Sequence, residues 1–188
     1  MAAADQVEAG PAGVLVAGRR HADLPWPDGL AFGMRQSEVE ALSPAATPRK
    51  KALAWATLPE DRMAVQVLTS MVAGPEGAGG KRRLSEQVAV GGVALEAHYH
   101  FVLNRLTAVL AMPEEGWRPH AVAREEHAVL TRWLTARHGP PRVVPGSGRG
   151  KRVRTLHSEW SLPGGGTVVL VLLRGGGDTS LLGLGLRL

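Results

Sequence analysis

The alternation of apolar and polar residues over positions 93–112 constrains the fold more than any other feature of the sequence. In the first half of this stretch every second residue is apolar, which is the period of a β-strand with one buried face. The alternation breaks at Asn104-Arg105 and then resumes, so the stretch predicts a β-hairpin with those two residues as its loop. In this register Tyr99 pairs with Leu110, and the apolar faces of the two strands coincide.

Helical spacing indicates two helices, one on each side of this hairpin. A short helix is expected over 33–42, where apolar residues recur at helical spacing before Pro44. A longer amphipathic helix is expected over 119–138, with a proline in its first turn and Gly139 directly after its end. This second helix carries enough apolar side chains on one side to cover a sheet.

Further β-structure is expected on both sides of the long helix. Two apolar stretches between residues 51 and 73 flank Pro59-Glu60-Asp61-Arg62, a pattern that favours a second hairpin. Three more strands are predicted over 154–162, 167–174 and 181–188, and the middle one is apolar throughout, as a strand buried on both faces would be. In the last strand Gly183 and Gly185 leave one face nearly bare. We therefore expect another element to lie close against these glycines.

The order of these elements predicts an α+β fold, an antiparallel β-sheet of hairpins with helices packed on one face. With 188 residues the chain is long enough for one domain over 24–188 after a flexible N-terminal arm over 1–23, and two α-β repeats over 30–112 and 113–188 are compatible with that length. The residues expected to be buried together are Tyr99, Phe101, Leu110, Val129, Trp133, Trp160 and Leu170.

Composition limits the classes of function. The chain has no cysteine, so disulfides and thiolate chemistry are excluded, and it has no apolar run of the ~18 residues that span a bilayer. No signal peptide is recognisable, so the sequence as it stands predicts a cytoplasmic protein, or a periplasmic or envelope protein if a signal was removed. The net charge of +5 is compatible with acidic partners, but an arginine-rich composition also follows from a high-GC genome, and we favour this second explanation.

Two short segments carry a resemblance to a known family. Residues 30–42, with the run Gly33-Met34 and Val39 three residues before Leu42, resemble the helix start of SmpA/OmlA-type small envelope lipoproteins, although Arg35 stands where the family has Ser or Thr. Residues 134–141 resemble a helix exit common among related secreted proteins. The β-lactamase-inhibitor protein is similar in expected architecture. The resemblance implies a protein-binding or assembly module without catalysis.

Polar side chains on the central hairpin form the first candidate site. Glu96, His98 and His100 alternate along one strand, so neighbouring side chains project from one face about 6.8 Å apart. With His157 or Glu159 from another strand, the two imidazoles have the ligand types that zinc prefers. The alternative is that this face of the sheet is simply open to solvent. We favour the second interpretation and expect no metal and no cofactor.

Basic clusters form the second candidate site. The two glycine-rich loops 74–83 and 145–152 contain Gly80-Lys81 and Gly150-Lys151, but neither has the first glycine or the Ser/Thr of a Walker A loop. What remains is positive charge on loops expected to be mobile, which can contact nucleic-acid phosphates or anionic lipid. The residues concerned are Lys81, Arg82, Arg83, Arg149, Lys151, Arg152 and Arg154, with Arg49, Lys50 and Lys51 as a third cluster.

The sequence contains no convincing arrangement of nucleophile and base, so the leading hypothesis is a non-enzymatic protein-binding or assembly module. Its expected partner surface is the polar sheet face of Glu96, His98, His100, His157 and Glu159, together with nearby loops. The alternative is a nucleic-acid-associated protein that contacts phosphates through its basic loops.

Overall fold

Three helices and nine strands form the described part of the chain. The computed structural model describes residues 26, 29–48, 53, 55–77, 81–145, 155–163 and 165–187. The helices are α1 (Gln36–Leu42), α2 (Pro59–Gly77) and α3 (His120–His138). The strands are β1 (Thr47–Pro48), β2 (Lys81–Val90), β3 (Val93–Val102), β4 (Arg105–Met112), β5 (Arg118–Pro119), β6 (Arg142–Val144), β7 (Thr155–Ser161), β8 (Thr167–Arg174) and β9 (Thr179–Arg187).

All the strands belong to one antiparallel sheet. Its order is β1-β2-β3-β4-β9-β8-β7-β6, and β5 pairs with β9 beside this path. The pairing joins β4 to β9, so the two halves of the chain meet in the middle of the sheet. The predicted α+β class with an antiparallel sheet is confirmed.

The central hairpin is formed by β3 and β4, but its loop lies one residue earlier than predicted. Leu103 and Asn104 form the loop, and both adopt left-handed backbone conformations, with φ of 47° and 62°. A bulge between His100 and Phe101 shifts the register again. As a result Tyr99 pairs with Val109 instead of Leu110.

The register shift changes which β4 side chains share a face with the histidines. His98 pairs with Leu110 and Glu96 pairs with Met112, so these apolar and polar side chains project from the same side of the sheet. A shift of one residue exchanges the two faces of a strand, because side chains alternate with a period of two. The expectation that the apolar faces of the two strands coincide is therefore wrong for Leu110 and Met112.

The segment predicted as a second hairpin is the helix α2. Pro59 takes its first position, where the missing N–H of proline leaves no hydrogen bond unmade. The backbone N–H of Leu58 donates to Asp61 Oδ2 at 3.1 Å, and Glu60 adds a second negative charge to the first turn. The sequence that was interpreted as a turn is thus the start of a helix.

The two predicted helices are confirmed as α1 and α3. Arg35 is the N-cap residue of α1, where Ser or Thr would usually supply a capping side chain. The carboxylate of Glu38 instead accepts a hydrogen bond from the Arg35 backbone N–H, which is one of the two hydrogen bonds of a capping box. The helix α3 ends at His138, and Gly139 directly after it has a positive φ of 80°, which glycine adopts more readily than other residues.

Helices cover both faces of the sheet. Leu170 and Leu172 of β8 pack with α3, whereas Val169 and Val171 of the same strand pack with α2. We call these two sides the α3 face and the α2 face. The expectation of helices on one face holds for α1 and α3, and α2 covers the face that was expected to be open. The strand β8, predicted to be buried on both faces, is buried on both.

The bare side of β9 is the place where α2 comes closest to the sheet. A Cβ added to Gly183 would lie 2.7 Å from the Leu68 side chain, and one added to Gly185 would overlap Val72. Both contacting residues belong to α2. The prediction that another element lies against these glycines is confirmed.

Six of the seven residues predicted to be buried together lie on the α3 face. Tyr99, Phe101, Trp160 and Leu170 are fully buried there, and the half-buried side chains of Val129 and Trp133 pack against them. Leu110 is the exception, because the bulge places it beneath α2.

Two further expectations concern the N-terminal arm and membrane-spanning segments. The N-terminal arm over 1–23 lies outside the described residues. Among the helices that the structure describes, none is long and apolar enough to cross a membrane.

Candidate functional site

The five polar residues predicted to form a partner surface are all buried. Glu96, His98 and His100 of β3, and His157 and Glu159 of β7, each expose less than a tenth of their surface. They project from the α2 face of the sheet, which sequence reasoning left uncovered because it did not predict α2. The expectation of an exposed polar sheet face is corrected accordingly.

These residues also fall into two separate groups. The register runs from His98 through Leu110, Gly185 and Val169 to Glu159, one residue on each of five neighbouring strands. Four strand spacings separate the ends of this row, a distance of about 19 Å. Within the described residues there is no group of three or more His, Cys, Asp or Glu side chains placed to hold a metal ion. The structure therefore does not bring the predicted zinc ligands together.

The group on β7 is centred on the carboxylate of Glu159. Arg142 of β6 donates to Glu159 Oε2 from its Nε at 3.1 Å, and Arg187 of β9 donates to Oε1. Arg187 also donates to the backbone oxygen of Met71 in α2 at 3.3 Å. The Glu159 carboxylate thus links β7 to β6 and β9, and Arg187 extends this network to α2. This is a structural role.

The charges around Glu159 determine the ionisation of this group. Burial alone would raise the pKa of Glu159, but hydrogen bonds and positive charge from Arg142 and Arg187 outweigh it and hold the pKa below its usual value. His157 Nε2 lies 3.1 Å from Glu159 Oε1. Burial nevertheless lowers the pKa of His157, the charge of Arg187 adds to that effect, and together they exceed the opposing effect of Glu159. We conclude that the histidine is neutral at pH 7.

The basic residues predicted to contact anions lie mostly outside the described residues. That group contains Arg149, Lys151, Arg152 and Arg154, together with Arg49, Lys50 and Lys51. Lys81, Arg82 and Arg83 begin the strand β2 and do not belong to a loop, and residues 74–77 belong to α2. The side chain of Lys81 is exposed.

An apolar groove that sequence reasoning missed runs beside the first half of α2. It has a volume of about 790 Å³ and lies between α2 on one side and the β8–β9 connection on the other. Apolar groups provide most of its lining, which is given by Leu58, Pro59, Glu60, Asp61, Met63, Ala64, Val67, Trp117, Leu173, Arg174, Gly175, Gly176 and Thr179. Its size is within the usual range for ligand sites in proteins.

The wall formed by α2 and by the residue before it carries three exposed apolar side chains. Leu58, Met63 and Val67 expose 53%, 65% and 41% of their surfaces. Met63 and Val67 are four residues apart, so they lie one above the other on the same side of the helix. Apolar side chains this exposed and this close together are typical of a surface that another molecule covers.

A hydrogen bond between Trp117 and Asp61 links the two walls of the groove. The Trp117 indole N–H donates to Asp61 Oδ1 at 2.9 Å, while the other oxygen of Asp61 accepts from the Leu58 N–H. The Trp117 ring lies so close to the β8–β9 connection that a Cβ on Gly175 would be 2.6 Å from it. These contacts fix the shape of the groove before any ligand arrives, because both oxygens of one buried carboxylate have partners.

Charged groups lie among the apolar residues of the groove. Glu60 lies on the α2 side, and Arg174 lies on the opposite side, with its Nη2 3.7 Å from Asp178 Oδ1. Glu60 gives the α2 wall a negative charge, whereas Asp178 partly offsets the charge of Arg174 on the opposite wall. An occupant that presents a cation to α2 would complement Glu60.

The groove was missed because residues 51–73 were interpreted as a hairpin. The signal for a helix was Pro59 followed by Glu60 and Asp61, which is a typical first turn of a helix. With the helix assigned, the spacing of Met63 and Val67 would have placed two apolar side chains on the same side. The role of Trp117 had no signal in the sequence, since its partner Asp61 lies 56 residues away.

Comparisons with protein families, curated proteins and solved structures found no match to this chain. The resemblance to small envelope lipoproteins and to the β-lactamase-inhibitor protein thus stays a prediction.

Proposed function

We propose that this protein is a non-enzymatic binding module that receives the apolar side of an amphipathic helix from a partner protein in the groove beside α2. The observation that carries the proposal is the row of exposed apolar side chains, Leu58, Met63 and Val67, along one wall of a groove of about 790 Å³. This surface replaces the polar sheet face as the expected partner site.

The dimensions of the row favour a helix as the occupant. From Pro59 at the start of α2 to Val67 the helix advances eight residues, a length of about 12 Å, and Leu58 directly precedes it. Two to three turns of a partner helix have the same length and present apolar residues with spacings of three and four. The negative charge of Glu60 on the α2 wall favours the direction of the bound helix that places a basic side chain beside it.

A selection of displayed helical peptides tests the proposal and defines the binding sequence in the same experiment. The purified protein is the bait, and bound peptides are measured against wild type, Val67→Glu and Val122→Glu. The two valines are a matched pair, because both lie on helices and expose 41% and 43% of their surfaces, but Val122 is on α3 outside the groove. We expect peptides with one apolar side, and we expect tenfold or greater loss of affinity for Val67→Glu with no change for Val122→Glu.

Three results would contradict the proposal. Peptides that bind both variants equally would place the contact elsewhere. Failure to enrich amphipathic sequences would exclude a helix. Uptake of a small apolar dye that Val67→Glu abolishes, without any peptide binding, would make the groove a site for a small molecule instead.

A further inference from the structure

The tip of the β3–β4 hairpin combines an exposed leucine with a backbone conformation that leucine disfavours. Leu103 exposes 94% of its surface, the largest fraction among the large apolar side chains of the described residues. Its φ of 47° is left-handed, and among the described residues other than glycine only Leu103 and Asn104 have positive φ. Asn or Gly would adopt this conformation more readily. Neither packing nor local conformation explains a leucine at this position.

Positive charge surrounds the exposed leucine. Arg105 follows the loop directly, and an isolated bridge pairs it with Arg35. The Arg105 guanidinium donates to the backbone oxygen of Gly33 at 2.9 Å, which holds this positive charge beside the tip. Lys81, which is exposed, pairs with Phe101 on the other side of the hairpin. The acidic Glu38 beside Arg35 reduces the charge of these three cations to a net +2.

The relative depth of these groups fits a lipid surface. The backbone of Lys81 lies level with Phe101, two residues behind Leu103, which is about 7 Å along the strand. Interfacial segments bury their apolar side by about 5–10 Å, with basic side chains at the level of the headgroups. A fluid lipid interface can accept a convex tip with one apolar side chain without a preformed pocket. A folded protein partner would need a pocket complementary to Leu103.

We propose that this hairpin tip is a peripheral contact for an anionic phospholipid surface. Leu103 inserts among the upper acyl carbons, and Arg35, Lys81 and Arg105 meet the phosphates of the headgroups. This contact lies on a different part of the molecule from the groove and does not depend on it.

Co-sedimentation with vesicles tests the proposal. Phosphatidylcholine vesicles are compared with vesicles that also contain phosphatidylglycerol, using wild type, Leu103→Asn, Lys81→Gln and the control Val143→Asn. Val143 exposes 71% of its surface on the edge strand β6. We expect wild type to bind only the anionic vesicles, with binding that weakens as salt is added. We expect about fivefold weaker binding for Leu103→Asn and for Lys81→Gln, and no change for Val143→Asn.

Folding and specificity are measured in parallel. Leu103→Asn should melt at the same temperature as wild type or higher, because asparagine tolerates the left-handed conformation better, so its loss of binding would not reflect unfolding. Absence of wild-type binding to anionic vesicles would overturn the proposal. Equal binding by Leu103→Asn and wild type would also overturn it. Tighter binding to duplex DNA or RNA than to vesicles, lost in Leu103→Asn, would reassign the tip to nucleic acid.

Discussion

The side chain of Val72 fills the space that a Cβ would occupy on Gly185. This contact joins α2 to the central strand β9, so α2 covers the sheet at a distance that only a glycine on the strand permits. The same Cβ would lie 2.8 Å from the backbone oxygen of Val109 on the neighbouring strand. The groove depends on this contact, because α2 forms one of its walls.

Gly185→Ala should lower the free energy of unfolding by about 1–3 kcal/mol, since the added methyl group overpacks the interface between helix and sheet. Denaturant titration measures the change. Gly176→Ala is the control, because nothing lies within 4 Å of its added Cβ. Val72→Ala in the Gly185→Ala background should restore part of the loss. Equal stability of Gly185→Ala and wild type would mean that α2 does not approach β9 this closely.

Asp61→Ala should cost about 1–2 kcal/mol, because it removes both the acceptor for the Leu58 N–H at the start of α2 and the acceptor for the Trp117 indole. Thermal or denaturant unfolding measures the loss. Glu60→Ala removes an exposed carboxylate from the same helical turn and should cost less than about 0.5 kcal/mol. Similar costs for the two variants would argue against the bond between Asp61 and Trp117.

Tyr99→Phe should lower the free energy of unfolding by about 1–3 kcal/mol. The Tyr99 hydroxyl donates to one carboxylate oxygen of Glu86, and Ser43 Oγ donates to the other. Burial and this hydrogen bond to Glu86 both raise the pKa of Tyr99 above its usual value, so the hydroxyl is protonated and donates at neutral pH. A double-mutant cycle with Glu86→Ala isolates the pair, because alanine has no acceptor for the Tyr99 hydroxyl. A coupling energy near zero would show that the two groups do not interact.

Glu159 should make the stability of the protein depend on acidic pH. Its pKa is lower in the folded chain than in the unfolded chain, so its contribution is complete above the ordinary carboxyl value of about 4.3 and declines as pH falls through the lowered value. Glu159→Gln should remove that part of the decline in a series of denaturant titrations at decreasing pH. The exposed Glu125→Gln is the control. Parallel pH curves for wild type and Glu159→Gln would contradict the assignment.

Periodicity predicted those parts of the fold that local physics determines. The helix α3 follows from its apolar spacing and its terminal proline and glycine, and the close approach to β9 follows from Gly183 and Gly185. In both cases the signal lies within the element itself. The antiparallel α+β class followed from the order of such elements.

Two misinterpretations hid the candidate site. The bulge at His100 has no signature in the sequence, yet it moves Leu110 and Met112 to the face shared with His98. Pro59 was interpreted as part of a turn, although it begins α2. Without this helix the polar residues of β3 and β7 were expected to be exposed. The groove beside α2 was not predicted for the same reason. The side chains that form the groove come from α2, Trp117 and the β8–β9 connection, and no sequence pattern links segments so far apart.

The indole N–H resonances of the five tryptophans offer the most direct test of the central claim that the groove beside α2 binds a partner helix. A ¹⁵N-labelled sample is titrated with a peptide chosen by the display selection, and the shift of each indole signal is recorded. We expect the largest shift at Trp117, whose N–H donates to Asp61 within the groove, and little change at Trp26, Trp133 and Trp160 on the α3 face. A Trp117 signal that stays fixed while a tryptophan of the α3 face responds would contradict the claim.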